Sequence, residues 1–419
     1  MQTKLSEEYK STAVGNEAEK ILRSCVHCGF CNATCPTYRI LGDELDGPRG
    51  RIYLIKGLLE GKEVSKKSQL HLDRCLTCLA CETSCPSGVE YGRLAEIGKQ
   101  QINKKLKRTF IERSYRYLIR QILPYPKRFS LLLMIGRSIR FLLPSKFRRM
   151  IPVKTTNKDS IKKIESSTSG LTRKMILFEG CVQPSLAPET NCASTRLLNR
   201  LGIETINSRD EKCCGAINHH MAVDDTGHAF IKNNIDAWWP HIEQGVEAIV
   251  ISASGCGTMI KDYGYLLRND PAYKDKAHKV ATMAKDIGEV IAAEDVAELR
   301  KIIKVSSKKI AFQNPCSLQH GQKMQNNTED LLKDIGYEIC SVEDANQCCG
   351  SAGTYSLLQT ELSEKLRRKK LNSLEAVKPD VILTANIGCQ LHLQQATDIP
   401  VRHWIEILEE DLQPDLLHE

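Results

Sequence analysis

Residues 25–36 read CVHCGFCNATCP and residues 75–86 read CLTCLACETSCP. Both follow C-x2-C-x2-C-x3-C-P, and cysteine thiolates are the side chains that select soft metals and iron–sulfur clusters. A zinc site draws on two C-x2-C pairs separated by a spacer. Here three cysteines stand close together and a fourth follows just before proline, which is the run used for four-iron clusters. Three cysteines on one tight loop grip three irons, and the fourth iron lies beyond that loop's reach. In two-cluster proteins the last cysteine of each run ligates the other cluster. The spacing therefore predicts two [4Fe-4S] clusters, one held by Cys25, Cys28, Cys31 and Cys85, the other by Cys75, Cys78, Cys81 and Cys35. Pro36 and Pro86 turn the chain away after each crossing cysteine. Two structural zinc sites are the alternative, which the repeated spacing disfavours. With every ligand a thiolate, neither centre offers an open iron, so the chemistry is electron transfer and no catalytic residue is expected.

A second duplication begins near residue 174. KMILFEGC (174–181) matches KKIAFQNPC (308–316), KCCGAI (212–217) matches QCCGSA (347–352), and IVISASGC (249–256) matches VILTANIGC (381–389). The anchors are Cys181/Cys316, Cys213/Cys348, Cys214/Cys349 and Cys256/Cys389, at offsets of 135, 135, 135 and 133 residues. The ends also agree, VATMAKDIGEVI with VRHWIEILEEDL. Adjacent cysteines do not readily pair with each other, and Gly215 or Gly350 lets the backbone bend around a ligand. Four thiolates converging in a dry crevice would bind an iron–sulfur or other metal centre. Structural zinc and a redox dithiol are the alternatives. Cys192 and Cys340 lack counterparts and read as ordinary buried thiols. His219, His220 and His320 lie near the motifs, where structural or supporting roles are commoner than ligation.

The elements that must position these cysteines follow from periodicity. Residues 1–24 read as an amphipathic helix, and RIYLIKGLLEG as a helix running to Gly61 after a DGPRG turn. Each later copy reads strand, helix, strand, helix, strand, with cysteines just past the strand ends, where parallel sheets place their ligand sites. The expected fold is a multidomain α+β chain. A helical two-cluster ferredoxin-type domain spans 1–105 and a basic helical connector 106–172. Two duplicated α/β (βαβαβ) cysteine-rich domains span 173–300 and 301–419.

Composition narrows the setting. A chain of 419 residues has room for two or three domains, and its 18 cysteines are too regular for a secreted disulfide scaffold. The start, MQTKLSEEYK, carries no apolar run behind its basic residue, so a cytoplasmic location is expected. Residues 101–174 hold 20 Lys and Arg against Glu112, Asp159 and Glu165, a net of +17 in a chain whose total is +8. The longest apolar run there, LLLMI, is far short of a membrane span. A basic amphipathic stretch can still lie on an anionic membrane surface, so peripheral contact with the inner face of the plasma membrane is a candidate role, with an acidic partner subunit as the alternative. Residues 153–172 read as a polar linker. No nucleic-acid partner is expected, since no recognition motif is present and aromatics make up only 5% of residues. No G-x-G-x-x-G after a strand and no Walker loop is found, so a flavin or nicotinamide would belong to a partner.

The ladders joined by GDELDGPRGRIYLIKGLLEG, the segment CLTCLACETSCPSGVEYGRL, and the two following Cys-Cys-Gly domains resemble the iron–sulfur subunits of bacterial glycolate oxidase (glycolate dehydrogenase) across nearly the whole chain. Iron–sulfur subunits of anaerobic glycerol-3-phosphate dehydrogenase, of lactate utilisation and of heterodisulfide reductase share the architecture and give the alternative reading of disulfide or anaerobic respiratory chemistry. DGPRGRI and CPSGVEYGRL look most like the glycolate family. The resemblance implies an oxidoreductase complex in which FAD-binding subunits oxidise a 2-hydroxy acid. This subunit then passes electrons toward quinone or another acceptor and is inactive by itself. There is one departure. The fuller Cys-Cys-Gly motif ends in C-x2-C, whereas the corresponding fifth-cysteine positions here are Met259 and His392, which argues against disulfide-reducing chemistry.

Overall fold

A computed structural model describes residues 1–142 and 171–413. The chain forms two compact units. The smaller comprises Met1–Tyr117 with His220–Ala222 and Asn346–Lys370, and the remaining described residues form the larger.

The smaller unit is helical around its cysteines. The expected N-terminal helix is confined to Ala13–Ser24, because Thr12 caps it by accepting a hydrogen bond from Gly15 N at 3.0 Å. Its stripe of Ala18, Ile21 and Leu22 is buried. The helix Pro48–Leu59 starts with proline in its first turn and stops two residues before Gly61, close to the expected end. Its Ile52, Ile55 and Leu58 pack with Leu94 and Ile102 of the helix Tyr91–Lys105, and the same apolar cluster contains Cys25, Cys75 and Cys81. The ladder loops are therefore rooted in the core. They share one backbone. His27 and Gly29 in the first, and Thr77 and Leu79 in the second, all take positive φ, and each pattern leads into a short helix, Phe30–Thr34 or Ala80–Thr83. A left-handed Leu79 costs on the order of 1–3 kcal/mol, so the loop geometry is imposed rather than preferred.

The larger unit holds two parallel sheets. Strands β1 (Arg173–Phe178), β2 (Ile203–Ile206), β3 (Ile249–Ile251) and β4 (Ala284–Asp286) lie in the order β2-β1-β3-β4. Strands β5 (Ile310–Gln313), β6 (Ile339–Cys340), β7 (Val381–Thr384) and β8 (Val401–His403) repeat it as β6-β5-β7-β8. Every pairing is parallel. Both sheets therefore gain a fourth strand beyond the βαβαβ expectation. β4 and β8 fall in the matched ends of the two copies, where three residues are too few to show alternation. β1 is buried on both faces, as parallel strands are. Ile176 and Phe178 face a cluster with Trp238 and Tyr263, while Met175 and Leu177 join a core shared with Phe312, Leu383 and Trp404 of the second copy. Side-chain bonds lace the copies together: Thr190 Oγ1 donates to Glu406 Oε1 at 2.6 Å, and His403 Nε2 lies 2.9 Å from the Ser252 carbonyl.

Between the ladders and β1 run the helices Phe110–Ile122 and Pro126–Ser138. Residues 143–170 of the basic connector, including nearly all of the 153–172 linker, lie outside the described residues. Among the described residues no helix is long and apolar enough to cross a membrane.

Candidate metal centres

The smaller unit brings the ladder cysteines into two groups, and the groups cross between loops. Cys25, Cys28, Cys31 and Cys85 line one cavity of about 430 Å³ that opens to solvent, and Cys81 of the second ladder reaches its wall. Burial pushes the Cys31 thiol up to about 11, with further upward pressure from Cys25, Cys28 and, across from the other ladder, Cys85. Cys81 is pushed well up by burial, then by Cys78, Cys75 and, from the first ladder, Cys35 ahead of Cys31. None of the eight forms a disulfide. Thiols so crowded and so buried are disfavoured as bare thiolates. They fit a cation-rich cluster that takes them as thiolates, as four-iron centres do.

The two groups differ in surroundings. In the first group Cys25 is buried, Cys31 and Cys85 are half-buried and Cys28 is exposed, whereas in the second Cys35, Cys75 and Cys81 are buried and Cys78 is half-buried. Beside the second group sits Arg51, whose side chain is only 1% exposed. Its Nε donates to the His71 carbonyl at 2.8 Å, Nη2 to Thr37 Oγ1 at 3.1 Å and Nη1 to Cys35 Sγ at 3.9 Å. Asp46, fully buried, lies 3.5 Å from Arg51, 2.8 Å from Arg74 and 3.1 Å from His71 Nδ1. Tyr91 donates its hydroxyl to Cys75 Sγ at 3.6 Å. Burial opposes ionisation of Cys75, but the Arg51 charge, then Lys99 and the Tyr91 hydroxyl, outweigh it and hold the thiol below its ordinary value. Sequence reasoning missed this network. Its only trace was the arginine pair in DGPRGRI, because Asp46, Arg51, His71 and Arg74 meet through the fold and not through any spacing.

The first Cys-Cys-Gly set converges in the larger unit as expected. Cys181 follows β1, Cys213 and Cys214 follow β2, and Cys256 follows β3. Hydrogen bonds to Cys181 and Cys214 push the Cys213 thiol well up, and a bond to Cys214 does the same for Cys256. The four thiols thus form a continuous chain. Tyr263 donates its hydroxyl to the Cys214 carbonyl at 2.9 Å, and Asn234 donates Nδ2 to the Cys213 carbonyl at 3.1 Å. Met259, where the fuller motif has its fifth cysteine, is buried in the same apolar cluster. Glu211 was not foreseen. Burial raises its carboxyl to about 8, and it accepts from Glu179 N at 2.9 Å and Trp238 Nε1 at 3.3 Å. Its position in the second copy is Asn346, so the repeat gave no signal for it.

Of the second set, Cys316 and Cys389 belong to the larger unit, where Asn386 Nδ2 donates to Cys389 Sγ at 3.5 Å. Cys348 and Cys349 belong to the smaller unit and are buried. Gly350 N donates to Cys348 Sγ at 3.4 Å. In that unit Tyr355 donates its hydroxyl to the Arg74 carbonyl at 3.2 Å. Burial raises its phenol; Arg51 opposes this, while Cys75 and Cys348 add to it. His219 is buried with Nδ1 at 3.1 Å from Asp224. Cys192 and Cys340 are half-buried rather than buried, on the helix Pro188–Arg200 and on β6.

Residues 21–89 match the 4Fe-4S dicluster domain family, and residues 175–261 and 310–394 each match the cysteine-rich domain family. The chain is 48% identical over 415 residues to the glycolate oxidase iron-sulfur subunit of Escherichia coli (strain K12), covering 99% of this chain and 100% of that one. It is 31% identical to the probable glycolate oxidase iron-sulfur subunit of Bacillus subtilis (strain 168), over 89% of this chain and 88% of the relative. It is 24% identical to one subunit of the fumarate reductase (CoM/CoB) of Methanothermobacter marburgensis, over 96% and 73% respectively. Full-length likeness, the dicluster ladder and the paired cysteine-rich domains agree: the chain is an iron–sulfur protein of an oxidoreductase and belongs to the family of glycolate oxidase iron–sulfur subunits.

Proposed function

We propose that this chain is the electron relay of a glycolate or related 2-hydroxy-acid dehydrogenase, working with FAD-binding partner subunits and delivering electrons to a quinone-type acceptor. The observation that carries the reading is the crossing of the ladders, with Cys85 grouped with Cys25, Cys28 and Cys31, and Cys35 with Cys75, Cys78 and Cys81. Those eight residues are the proposed ligands of two [4Fe-4S] clusters, which supply one-electron transfer when bound. Flavin takes hydride from the hydroxy acid, so substrate oxidation falls to the partners and the isolated chain is inactive. The residues of this chain fix the thiolates, exclude water from the inner group and keep the two groups adjacent. Cys181, Cys213, Cys214 and Cys256, with Cys316, Cys348, Cys349 and Cys389, are proposed to hold a further iron–sulfur or metal centre. The proposed domain bounds are 1–105, 106–172, 173–300 and 301–419.

Anaerobically purified protein is expected to carry about eight irons and eight sulfides in the ladder region. Zinc without sulfide would overturn the proposal.

A peripheral membrane contact is supported by the helix Pro126–Ser138, none of whose residues is buried. It exposes Leu131, Leu132, Met134 and Ile135 beside Arg128 and Arg137. An anionic bilayer suits that mixture. Surface attraction is screened over about 8 Å at physiological salt, so membranes washed at high salt are expected to release the complex. Equal retention at low and high salt would argue against a charge-based anchor.

A further inference from the structure

The buried cation beside the second cysteine group asks for an explanation. A guanidinium that is 1% exposed gives up its hydration, and Asp46 does not account for it alone, because Asp46 already meets Arg74 at 2.8 Å. Arg51 and Arg74 together leave one positive charge over after Asp46 is matched. The guanidinium is fixed from three sides, by the His71 carbonyl, Thr37 Oγ1 and Cys35 Sγ. Thr37 Oγ1 is itself 3.2 Å from Cys35 Sγ. Tyr91 adds a hydroxyl at 3.6 Å from Cys75 Sγ, and Lys99 Nζ lies 3.3 Å from the Cys75 carbonyl. The first group has a different neighbour: Arg49 is taken up by Glu44 at 2.6 Å, and Cys28 faces solvent.

We propose that Arg51 raises the reduction potential of the centre held by Cys35, Cys75, Cys78 and Cys81, and so makes it the preferred seat of the electron over the more exposed centre of Cys25, Cys28, Cys31 and Cys85. The proposal rests on the crossed ligand reading above. Reduction adds one electron to a site already ringed by thiolates. A fixed positive charge in a dry environment favours the more negative state, and hydrogen bonds to the sulfurs act the same way. The electron comes from a one-electron donor, reduced flavin on a partner or dithionite in the assay. No bond forms or breaks, and Arg51 keeps its proton throughout. Arg51 is therefore a positioning residue, setting the order of the relay and not its chemistry.

The test is a redox titration of the full chain followed by electron paramagnetic resonance. Cys28→Ser and Cys78→Ser assign each step to its centre. In Arg51→Gln the step of the Cys78 centre is expected to fall by a factor of ten or more in its equilibrium, about 59 mV for one electron, while the Cys28 centre moves much less. Tyr91→Phe is expected to lower the same step by a smaller amount, and Arg51→Lys to restore most of it. Arg51→Gln with full iron and sulfide and both steps unmoved overturns the role of Arg51 and leaves the ligand reading intact. If Arg51→Gln fails to assemble its clusters, Tyr91→Phe and Arg51→Lys decide: a lowered Cys78 step in the first and a near-native one in the second support the proposal, and an unmoved step in Tyr91→Phe together with a collapsed one in Arg51→Lys overturns it. Native protein with no iron–sulfur signal contradicts the ligand reading itself.

Discussion

Two duplications shape this molecule, and they have diverged in opposite ways. The ladders keep every cysteine and the same left-handed backbone positions, 27 and 29 against 77 and 79, while the groups around them differ in burial and charge. The Cys-Cys-Gly copies keep their cysteines and their sheet order but exchange buried polar residues between them. Asp286 at the end of β4 and His403 at the end of β8 occupy matching places, both fully buried and both capping the next helix. Burial raises the Asp286 carboxyl to about 7 and lowers the His403 imidazole to about 4. Both side chains are thus held toward their neutral forms, one an acid and the other a base. The contrast shows what each duplication conserves. In the ladders it is the cysteine set, with the surroundings free to differ between the two loops. In the sheets it is a neutral buried cap, which two different chemistries supply.

The largest effects are expected at the crossing cysteines. Cys35→Ala is expected to abolish the signal of the centre gripped by residues 75–81, and Cys85→Ala that of the centre gripped by residues 25–31. Spectra in which each substitution silences its own loop would refute the crossing.

The next effect is on pH and stability in the two caps. The folded value for Asp286 lies above its ordinary 3.8, so its contribution is complete below about pH 4 and is lost as pH rises through about 7. His403 has the opposite sign: its contribution is complete above about pH 6.5 and is lost as pH falls through about 4. At roughly 1.4 kcal/mol per unit, Asp286 governs on the order of 4 kcal/mol. Asp286→Asn, which retains a capping side chain, is expected to flatten the decline in thermal stability between pH 4 and 7. His403→Gln is expected to flatten the decline on the acid side. Parallel curves for either variant and the native protein would contradict the assignment.

A smaller contrast lies in the glycines after the cysteine pairs. Both take positive φ, 92° at Gly215 and 89° at Gly350. A Cβ at Gly350 would meet the Ser363 carbonyl oxygen at 2.6 Å, whereas one at Gly215 would meet the Gly227 oxygen at 3.1 Å. Gly350→Ala is expected to cost more than Gly215→Ala, both within about 1–3 kcal/mol. Denaturant unfolding measures the difference, and a reversed order would show that the backbone at Gly350 relaxes.

Much of this was legible in the residues because cluster ligation fixes spacing tightly. Three cysteines per loop and a fourth before proline specify both the ligand groups and their exchange. The repeat offset placed the strand ends and hence the first converging thiol set. What escaped was set by contacts distant in sequence. Asp46 and Arg51 come from one stretch and His71 and Arg74 from another some twenty residues on, and they carry no periodic mark. β4 and β8 are three residues long, too short for a pattern to register. Glu211 sits two residues before Cys213 but has no acidic partner in the second copy, so the duplication that revealed its neighbours concealed it.

We propose that electrons enter this chain from a flavin on a partner and leave it through the ladder centres. The most direct test is an anaerobic mixture of the chain with its FAD-binding subunits, glycolate and a quinone. Glycolate is expected to reduce the ladder clusters only when the flavoprotein is present, and Cys28→Ala or Cys78→Ala is expected to stop quinone reduction while the flavin is still reduced by substrate. Turnover of glycolate by the isolated chain, or quinone reduction at full rate in the double variant, would contradict it.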